Sequence, residues 1–172
     1  MKKNTLILIF VLLLLFTSSV FSQASEADSK AIAQSILDLV TKATWPKGSG
    51  PADGPVKICV VGDSPVKGSL DALAASTSKP VEIIQASVTD DLSSFHVAYN
   101  PSSELGSLAK ILKGVGAAKV LTVSSAKDFA RYGVMVNLAK DGGKFKYEVN
   151  TMVLDGSGIK IDDGILKKAT KI

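Results

Sequence analysis

From Val56 onward the chain alternates short apolar runs with amphipathic segments, which is the pattern of an α/β fold. The run Val56–Val61 predicts a strand covered on both faces, because apolar side chains continue through it instead of alternating with polar ones. Further strands are predicted at residues 80–87, 95–99 and 119–123, with helices at 66–75 and 101–115. Strands that alternate with helices pair mostly in parallel. The sequence therefore predicts a layered sandwich, with a mostly parallel mixed sheet of about six strands flanked by helices.

The two ends of this α/β region carry their own signals. A helix is predicted from a capping box at Ser25 to about residue 43, where Trp45-Pro46 ends it because proline cannot continue a helix. Near the C-terminus, strands at 134–139 and 144–149 flank Asp141-Gly142-Gly143, a hairpin signal. We therefore expect a C-terminal β-hairpin that gives the sheet an antiparallel edge. A short helix is predicted at 126–132 and a closing helix at 165–171.

The N-terminus has the layout of a secretory signal peptide. Lys2 and Lys3 precede an apolar run over residues 6–16, and small residues follow it. Cleavage after Ser22 or after Ala24 satisfies the small-residue rule. The alternative is a retained membrane anchor, although a spanning helix needs about 20 apolar residues and this run is shorter. The sequence thus predicts a signal peptide at 1–22, a single domain at 23–172 and export from the cytoplasm.

The charge of the chain does not favour nucleic acid as a partner. The formal net charge is +4, but two of the 20 Lys and Arg residues are Lys2 and Lys3 of the predicted signal peptide. Without them 18 basic residues face 16 acidic ones, so the exported chain carries +2. Arg131 is the only arginine and the lysines are spread along the chain, so no basic patch is indicated.

The chain has one cysteine, Cys59, which excludes an intrachain disulfide. Because Cys59 lies inside the apolar run of the first predicted strand, one interpretation is a small buried hydrophobic side chain. The other is a candidate redox thiol, or a thiol that forms an intermolecular disulfide in an oxidising compartment.

Gly62-Asp63-Ser64, directly after the first strand, is the segment that most resembles a catalytic motif. Hydrolases of the GDSL type place a nucleophilic serine in such a turn, but a serine needs a base to become a strong nucleophile. The only histidine, His96, begins a predicted strand in mid-chain, and no Asp-x-x-His follows. The alternatives are a helix cap, or a helix N-terminus that holds a small anion. Asp63 and Ser64 are thus a candidate small-ligand loop.

No catalytic or metal-binding set is predicted elsewhere. One histidine and one cysteine are too few for a zinc site. No GxGxxG follows the first strand, so no dinucleotide is indicated. The residues alone therefore indicate an exported protein that binds or regulates, with no cofactor and no enzymatic activity.

An ordered set of short segments from about Ala27 to Ile172 resembles the YfiR-type periplasmic repressors. Each segment alone is only weakly specific for this family, whereas the occurrence of all of them in the same order is more specific. The segments are Trp45-Pro46, Ile58-Cys59-Val60-Val61-Gly62-Asp63-Ser64-Pro65, Leu70-Asp71-Ala72-Leu73, His96-Val97, Val120-Leu121-Thr122-Val123-Ser124, Phe129-Ala130-Arg131-Tyr132-Gly133, Val136-Asn137-Leu138, Phe145-Lys146-Tyr147-Glu148-Val149-Asn150, Gly158-Ile159-Lys160-Ile161 and Ile165-Leu166.

This resemblance implies a regulator of a membrane signalling protein. Members of the family bind the periplasmic part of an inner-membrane diguanylate cyclase and repress it, which limits cyclic-di-GMP and biofilm formation. The family also has sensor kinases as partners, and its members tend to form homodimers. The second hypothesis is a periplasmic small-ligand-binding protein that uses Asp63 and Ser64, and the third is a GDSL-type hydrolase.

One departure from the family pattern affects redox sensing. Relatives often carry a cysteine immediately before the His-Val step, where this chain has Phe95. The resemblance therefore implies that the disulfide found in relatives cannot form here with Cys59. Repression by this chain should accordingly survive the loss of the Cys59 thiol.

Overall fold

The structure, a computed structural model, describes residues 26–101 and 105–172 of the 172-residue chain. The predicted signal peptide, with its cleavage points at Ser22 and Ala24, lies outside these residues. Within the described ranges, no helix combines the length and the apolar character needed to cross a membrane.

The described residues form helices and strands in alternation. The helices are α1 (26–42), α2 (Pro65–Ala74), α3 (Leu105–Val115), α4 (Thr151–Ser157) and α5 (Asp163–Leu166), with a 3-10 helix at Phe129–Tyr132. The strands are β1 (Ala43–Thr44), β2 (Val56–Val61), β3 (Val81–Ala86), β4 (Val97–Asn100), β5 (Leu121–Ser124), β6 (Val136–Asp141), β7 (Lys144–Val149), β8 (Lys160–Ile161) and β9 (Thr170–Lys171).

Seven strands form one mixed sheet in the order β3-β2-β4-β5-β6-β7-β9. All neighbouring pairs are parallel except β6 and β7, which are antiparallel. A separate antiparallel pair joins β1 to β8. The predicted layered α/β fold with a mostly parallel mixed sheet is confirmed.

The position of β2 inside the sheet, between β3 and β4, explains why its sequence is apolar almost throughout. Ile58 and Val60 face one side of the sheet, in a large cluster with Ile36 of α1. Cys59 faces the other side, in a cluster with Ile111 of α3. Since helices cover both faces, every side chain of β2 except that of Lys57 is buried.

The hairpin between β6 and β7 has the predicted turn. Gly142 and Gly143 connect the two strands with φ of 55° and 80°, and Asp141 pairs with Lys144 across the turn. Two consecutive residues with positive φ are the requirement of a type I′ turn, whose twist matches that of the flanking strands. Strand β7 has the predicted bounds.

The predictions for the C-terminal end were partly wrong. The closing helix spans only Asp163–Leu166, and Thr170–Lys171 forms β9 beside β7. The hairpin is therefore not the edge of the sheet. The physical reason is that β6 pairs with only one side of β7, so the backbone groups on the other side need partners. The C-terminal residues supply them: the Ile172 N–H, for example, donates to the Val149 carbonyl at 2.8 Å.

Two further elements differ from the prediction for the same region. The helix expected at 126–132 is a 3-10 helix of four residues, because Asp128 at its start has φ of 65° and interrupts the right-handed conformation. Helix α4 was not predicted. Asn150 caps its N-terminus, where the side chain accepts a hydrogen bond from the Val153 N–H at 3.0 Å, and Gly158 caps its C-terminus with φ of 75°.

Candidate functional site

The loop with Asp63 and Ser64 leaves the carboxyl end of β2 and starts α2. Gly62 has φ of 79°, and its N–H donates to the Ala86 carbonyl at 2.8 Å. The buried Ser64 hydroxyl accepts a hydrogen bond from the Val66 N–H at 3.3 Å, so Ser64 is the N-cap of α2. Asp63 is exposed. The structure thus gives Ser64 a structural role and leaves Asp63 available to solvent.

The same loop lies at a topological switch point of the sheet. Strand β2 has β3 on one side and β4 on the other, and all three are parallel. After β2 the chain continues to β3 on one side, and after β4 it continues to β5 on the other side. The two connections therefore diverge and leave a crevice at the carboxyl ends of β2 and β4, which is where open α/β sheets bind ligands. This position is the geometric basis for considering Asp63 a ligand-binding residue.

The structure does not bring the only histidine, His96, to Ser64. His96 precedes β4 at the amino end of the strands, whereas Ser64 follows β2 at the carboxyl end. The six residues of β2, at about 3.3 Å each, separate the two ends by about 20 Å. The His96 Nδ1 instead accepts a hydrogen bond from the Lys57 N–H at 2.9 Å. Burial and then the Lys57 charge lower the His96 pKa.

Cys59 is fully buried in the middle of β2, between Ile84 of β3 and Ala98 of β4. Burial raises the pKa of its thiol to about 12. Because the thiolate is the reactive form, this environment opposes oxidation and disulfide exchange. Phe95, at the position where relatives often carry a cysteine, packs against the same cluster. Around Cys59 the described structure favours the interpretation as a small buried hydrophobic side chain.

A row of polar side chains crosses four strands at the carboxyl edge of the sheet, and the sequence analysis missed it. Asn100, Ser124, Asn137 and Glu148 are directly opposite one another in register, on the face that α3 covers. The first three are at most 2% exposed. The available signal was a polar residue next to the apolar positions of each strand, as in Val136-Asn137-Leu138.

Hydrogen bonds tie parts of this polar row together. The Ser124 hydroxyl donates to the Asn100 carbonyl at 2.9 Å and accepts from the Ala126 N–H at 3.1 Å. The Asn137 amide nitrogen donates to a Glu148 carboxylate oxygen at 2.9 Å. Within the described residues the Asn137 amide oxygen has no donor. The row thus joins β4 to β5 and β6 to β7 through their side chains.

Three of the open surface cavities lined by described residues are large enough to consider, and none of these three is lined by Asp63 or Ser64. The largest, about 440 Å³, lies between the turn with Asp90 and Asp91 and helix α3. The second, about 350 Å³, is lined by Trp45 and Lys79. The third, about 310 Å³, lies between α3 and α4. Among the described residues no group of three His, Cys, Asp or Glu side chains could hold a metal ion.

Trp45 and Lys79 secure the end of α1 beside the second cavity. The Lys79 ammonium donates to the carbonyls of Val40 and Ala43 at 3.2 and 2.9 Å, where the helix leaves acceptors unpaired. The Trp45 ring packs edge-on against His96, with centroids 6.0 Å apart and planes at 73°. Both residues therefore have structural roles in this fold.

Solved structures with the same fold are longer than this chain. One is described as the ABC domain in complex with L-Trp from Streptococcus pneumonia, with a TM-score of 0.56 and 13% identity, covering 81% of this chain and 59% of that one. Another is a conserved domain protein from Vibrio cholerae, with a TM-score of 0.54 and 14% identity, covering 83% and 59%. The chain thus spans about three-fifths of each. At such identities the likeness shows the fold alone.

Sequence comparison is more specific than the comparison of folds. No curated protein matches the chain. A family model described as YfiR/HmsC-like matches residues 29–170, which is nearly all of the described domain. The match includes β2 with its Gly62-Asp63-Ser64 turn and extends through the hairpin to β9. The chain therefore belongs to the YfiR/HmsC-like family.

Proposed function

We propose that this protein is exported to the periplasm and represses an inner-membrane diguanylate cyclase by binding its periplasmic part. The observation that carries the proposal is the family match over residues 29–170. The site geometry supports binding over catalysis, since the best candidate nucleophile, Ser64, caps a helix about 20 Å from His96. In this scheme the bound cyclase is inactive and release activates it, so the protein limits cyclic-di-GMP and biofilm formation.

Deleting the gene should raise cellular cyclic-di-GMP. A repressor that favours the inactive state of the cyclase by about 1–3 kcal/mol shifts the ratio of inactive to active cyclase by about 5- to 150-fold. The measurement is cyclic-di-GMP in extracts of deletion and complemented strains. Complementation by the full chain should restore the low level, whereas a chain without residues 1–22 should not, because it would stay in the cytoplasm. An unchanged level in a deletion strain that expresses the cyclase would contradict the proposal.

The partner can be identified by crosslinking in intact envelopes. A tagged full chain is crosslinked, purified and analysed by mass spectrometry, with the chain lacking residues 1–22 as the control. Recovery of a membrane cyclase supports the proposal. Recovery of a sensor kinase in its place would identify the kinase as the signalling partner. A folded, exported chain that recovers no membrane signalling protein would count against repression by direct binding.

A second candidate function is the binding of a small ligand in the periplasm. The topological switch point beside Asp63 supports it, because ligands bind at this place in open α/β sheets. The solved structure from Streptococcus pneumonia contains L-Trp, which makes that amino acid a reasonable first probe.

Ligand binding should be visible as thermal stabilisation. A ligand at 100 times its Kd stabilises a folded protein by about 2.7 kcal/mol. L-tryptophan and a panel of other amino acids are tested against the wild-type chain and Asp63→Ala. Stabilisation that Asp63→Ala abolishes, with the melting temperature of the ligand-free variant unchanged, supports this site. Equal stabilisation of both chains would place the ligand elsewhere.

A further inference from the structure

Two exposed apolar side chains lie close to the contact between the 3-10 helix and α4. The Asn150 amide nitrogen donates to the Ala130 carbonyl at 2.7 Å, which joins the two helices. Tyr132 follows Ala130 by two residues and is 54% exposed, and Met152 follows Asn150 by two residues and is 84% exposed. No other large apolar side chain among the described residues is as exposed. Both of the side chains that water reaches are thus on the same part of the surface.

An apolar groove of about 310 Å³ adjoins these two side chains. Gly133 and Val153, the next residues along the chain, belong to its wall, and the C-terminal end of α3 supplies Leu112 and Val115. A Cβ atom at Gly133 would lie 3.3 Å from the Leu112 Cδ1, so the absence of a side chain there keeps this wall open. Tyr132, Met152 and the groove together form what we call the apolar patch, and exposed patches of this kind mark interaction sites.

The apolar patch lies in the basic half of the molecule. Residues 105–172 contain twelve Lys and Arg residues against six Asp and Glu residues, a formal charge of +6. Residues 26–101 contain six against nine, a formal charge of −3. Strands β1 to β4 come from the second of these ranges and β5 to β9 from the first, so the strand order β3-β2-β4-β5-β6-β7-β9 separates the two charges in space.

Cations surround the apolar patch on the elements that form it. They are Lys113 and Lys119 at the end of α3 and after it, and Lys127 and Arg131 at the 3-10 helix. Lys119 is the one charged residue in the wall of the groove itself. The acids on the same elements are Asp128, which Arg131 approaches to 3.9 Å, and Asp155. An apolar centre within a charged rim is the anatomy of a protein–protein interface, and this rim is complementary to an acidic surface.

We propose that the apolar patch is the surface that binds the periplasmic part of the membrane signalling partner, an inference that rests on the function proposed above. The partner inserts an aliphatic or aromatic side chain into the groove and carries Asp and Glu residues around it. Covering Met152 and Tyr132 contributes the affinity, and the charges steer the two proteins together and fix their orientation. The concave groove favours a folded protein over a lipid surface, because a protein can insert one side chain into it. The exposed pair extends the contact beyond the reach of a small ligand.

The first test is Met152→Glu, with Met152→Leu as the matched control. Because Met152 is exposed, neither change disturbs the core. A carboxylate in the first turn of α4 suits the helix dipole, so Met152→Glu should fold as stably as the wild type. The same carboxylate would lie at the centre of the proposed contact, where an acidic partner repels it. Met152→Leu keeps an apolar side chain of similar size.

Partner capture from crosslinked envelopes and cyclic-di-GMP in the complemented deletion strain give the readout. We expect Met152→Glu to capture about tenfold less cyclase or kinase than the wild type, the effect of losing a residue at the centre of an interface, and to leave cyclic-di-GMP high. Met152→Leu should capture and repress like the wild type. A Met152→Glu chain that captures the partner as well as the wild type would overturn this surface while the proposed function stands. A wild-type chain that captures neither a cyclase nor a kinase would overturn both.

A second pair of variants tests the charged rim. Lys127→Glu reverses a charge beside the 3-10 helix, and Lys47→Glu reverses one in the acidic half; both lysines are exposed, and the net charge changes equally. Capture by Lys127→Glu should be weaker than that of the wild type at low ionic strength and approach it as salt screens the charges. Lys47→Glu should behave like the wild type. An equal loss in both variants would reflect net charge alone and would overturn the assignment of the rim.

Two further measurements on the purified exported chains address the other possible occupants. Sedimentation equilibrium gives the mass of each chain, and flotation with phosphatidylglycerol vesicles gives its binding to an anionic lipid surface. We expect Met152→Glu to match the wild type in both. If Met152→Glu lost a dimer or lost vesicle binding while its partner capture stayed at the wild-type level, the patch would belong to a second copy or to the membrane, and the proposal would be wrong.

Discussion

Replacing Tyr99 by alanine should lower the free energy of unfolding by about 3–5 kcal/mol, the range for removing a large buried aromatic side chain. Tyr99 lies on β4 in the middle of the sheet, is 1% exposed and packs in the large cluster against α1. With a total stability of about 5–15 kcal/mol for a domain, this loss is a large fraction. The melting temperature should fall by about 6–20 °C, which calorimetry or circular dichroism measures.

Tyr99→Phe is the matched control for this prediction. It keeps the ring in the cluster and loses only the hydrogen bond between the Tyr99 and Ser125 hydroxyls, which are 2.8 Å apart. The cost should be about 0.5–1.5 kcal/mol. If both variants were equally destabilised, the hydroxyl contact and not the packing of the ring would be the main contribution of Tyr99.

The second large effect is a loss of stability at alkaline pH caused by Cys59. Burial raises the pKa of this thiol from 9.0 to about 12 in the folded chain. Between these values the folded state holds a proton that the unfolded state releases, so stability falls as pH rises. At 1.36 kcal/mol per pKa unit, the contribution at pH 11 is about 2.7 kcal/mol.

Cys59→Ala should remove this part of the alkaline slope. Urea unfolding at pH 8, 9, 10 and 11, with a reductant present, gives the free energy of each chain. Below pH 9 the difference in unfolding free energy between the wild type and Cys59→Ala should be constant. Above pH 9 the unfolding free energy of the wild type should fall faster. Tyr147, whose pKa burial also raises to about 12, contributes equally to both chains and cancels in the comparison. Parallel slopes up to pH 11 would show that the thiol is more accessible than the structure indicates.

The sequence was most informative where one local signal decided the structure. Strand β2 was predicted with its observed bounds because its apolar run suits only a doubly covered strand. The Gly142-Gly143 turn was predictable because its positive φ angles favour glycine at both positions. Trp45-Pro46 correctly marked the region where α1 ends.

The sequence was less informative where tertiary contacts decide the structure. Residues 165–171 carry lysines suited to a helix C-terminus, yet Thr170 and Lys171 complete the sheet because β7 has a free side. Helix α4 is too short for periodicity to reveal it. The polar row needs the register of four strands, which no single segment contains.

The turn between the first strand and the next helix was predicted correctly, whereas its use as a ligand loop stays a prediction. The sequence left open whether Asp63 or Ser64 caps the next helix, and the structure assigns the cap to Ser64. The separation of Ser64 from His96 depends on the order of the strands. The sequence shows that the chain has one histidine, but only the fold shows that this histidine lies at the end of the sheet opposite to Ser64.

The row formed by Asn100, Ser124, Asn137 and Glu148 fixes how the strands align. If β6 slipped by one residue along β7, Asn137 would turn to the face that α1 covers, among apolar side chains and away from Glu148. An amide buried there without a partner costs about 1–3 kcal/mol. Apolar residues tolerate many alignments of nearly equal energy, whereas this row tolerates one. It selects a single native arrangement from an otherwise permissive core.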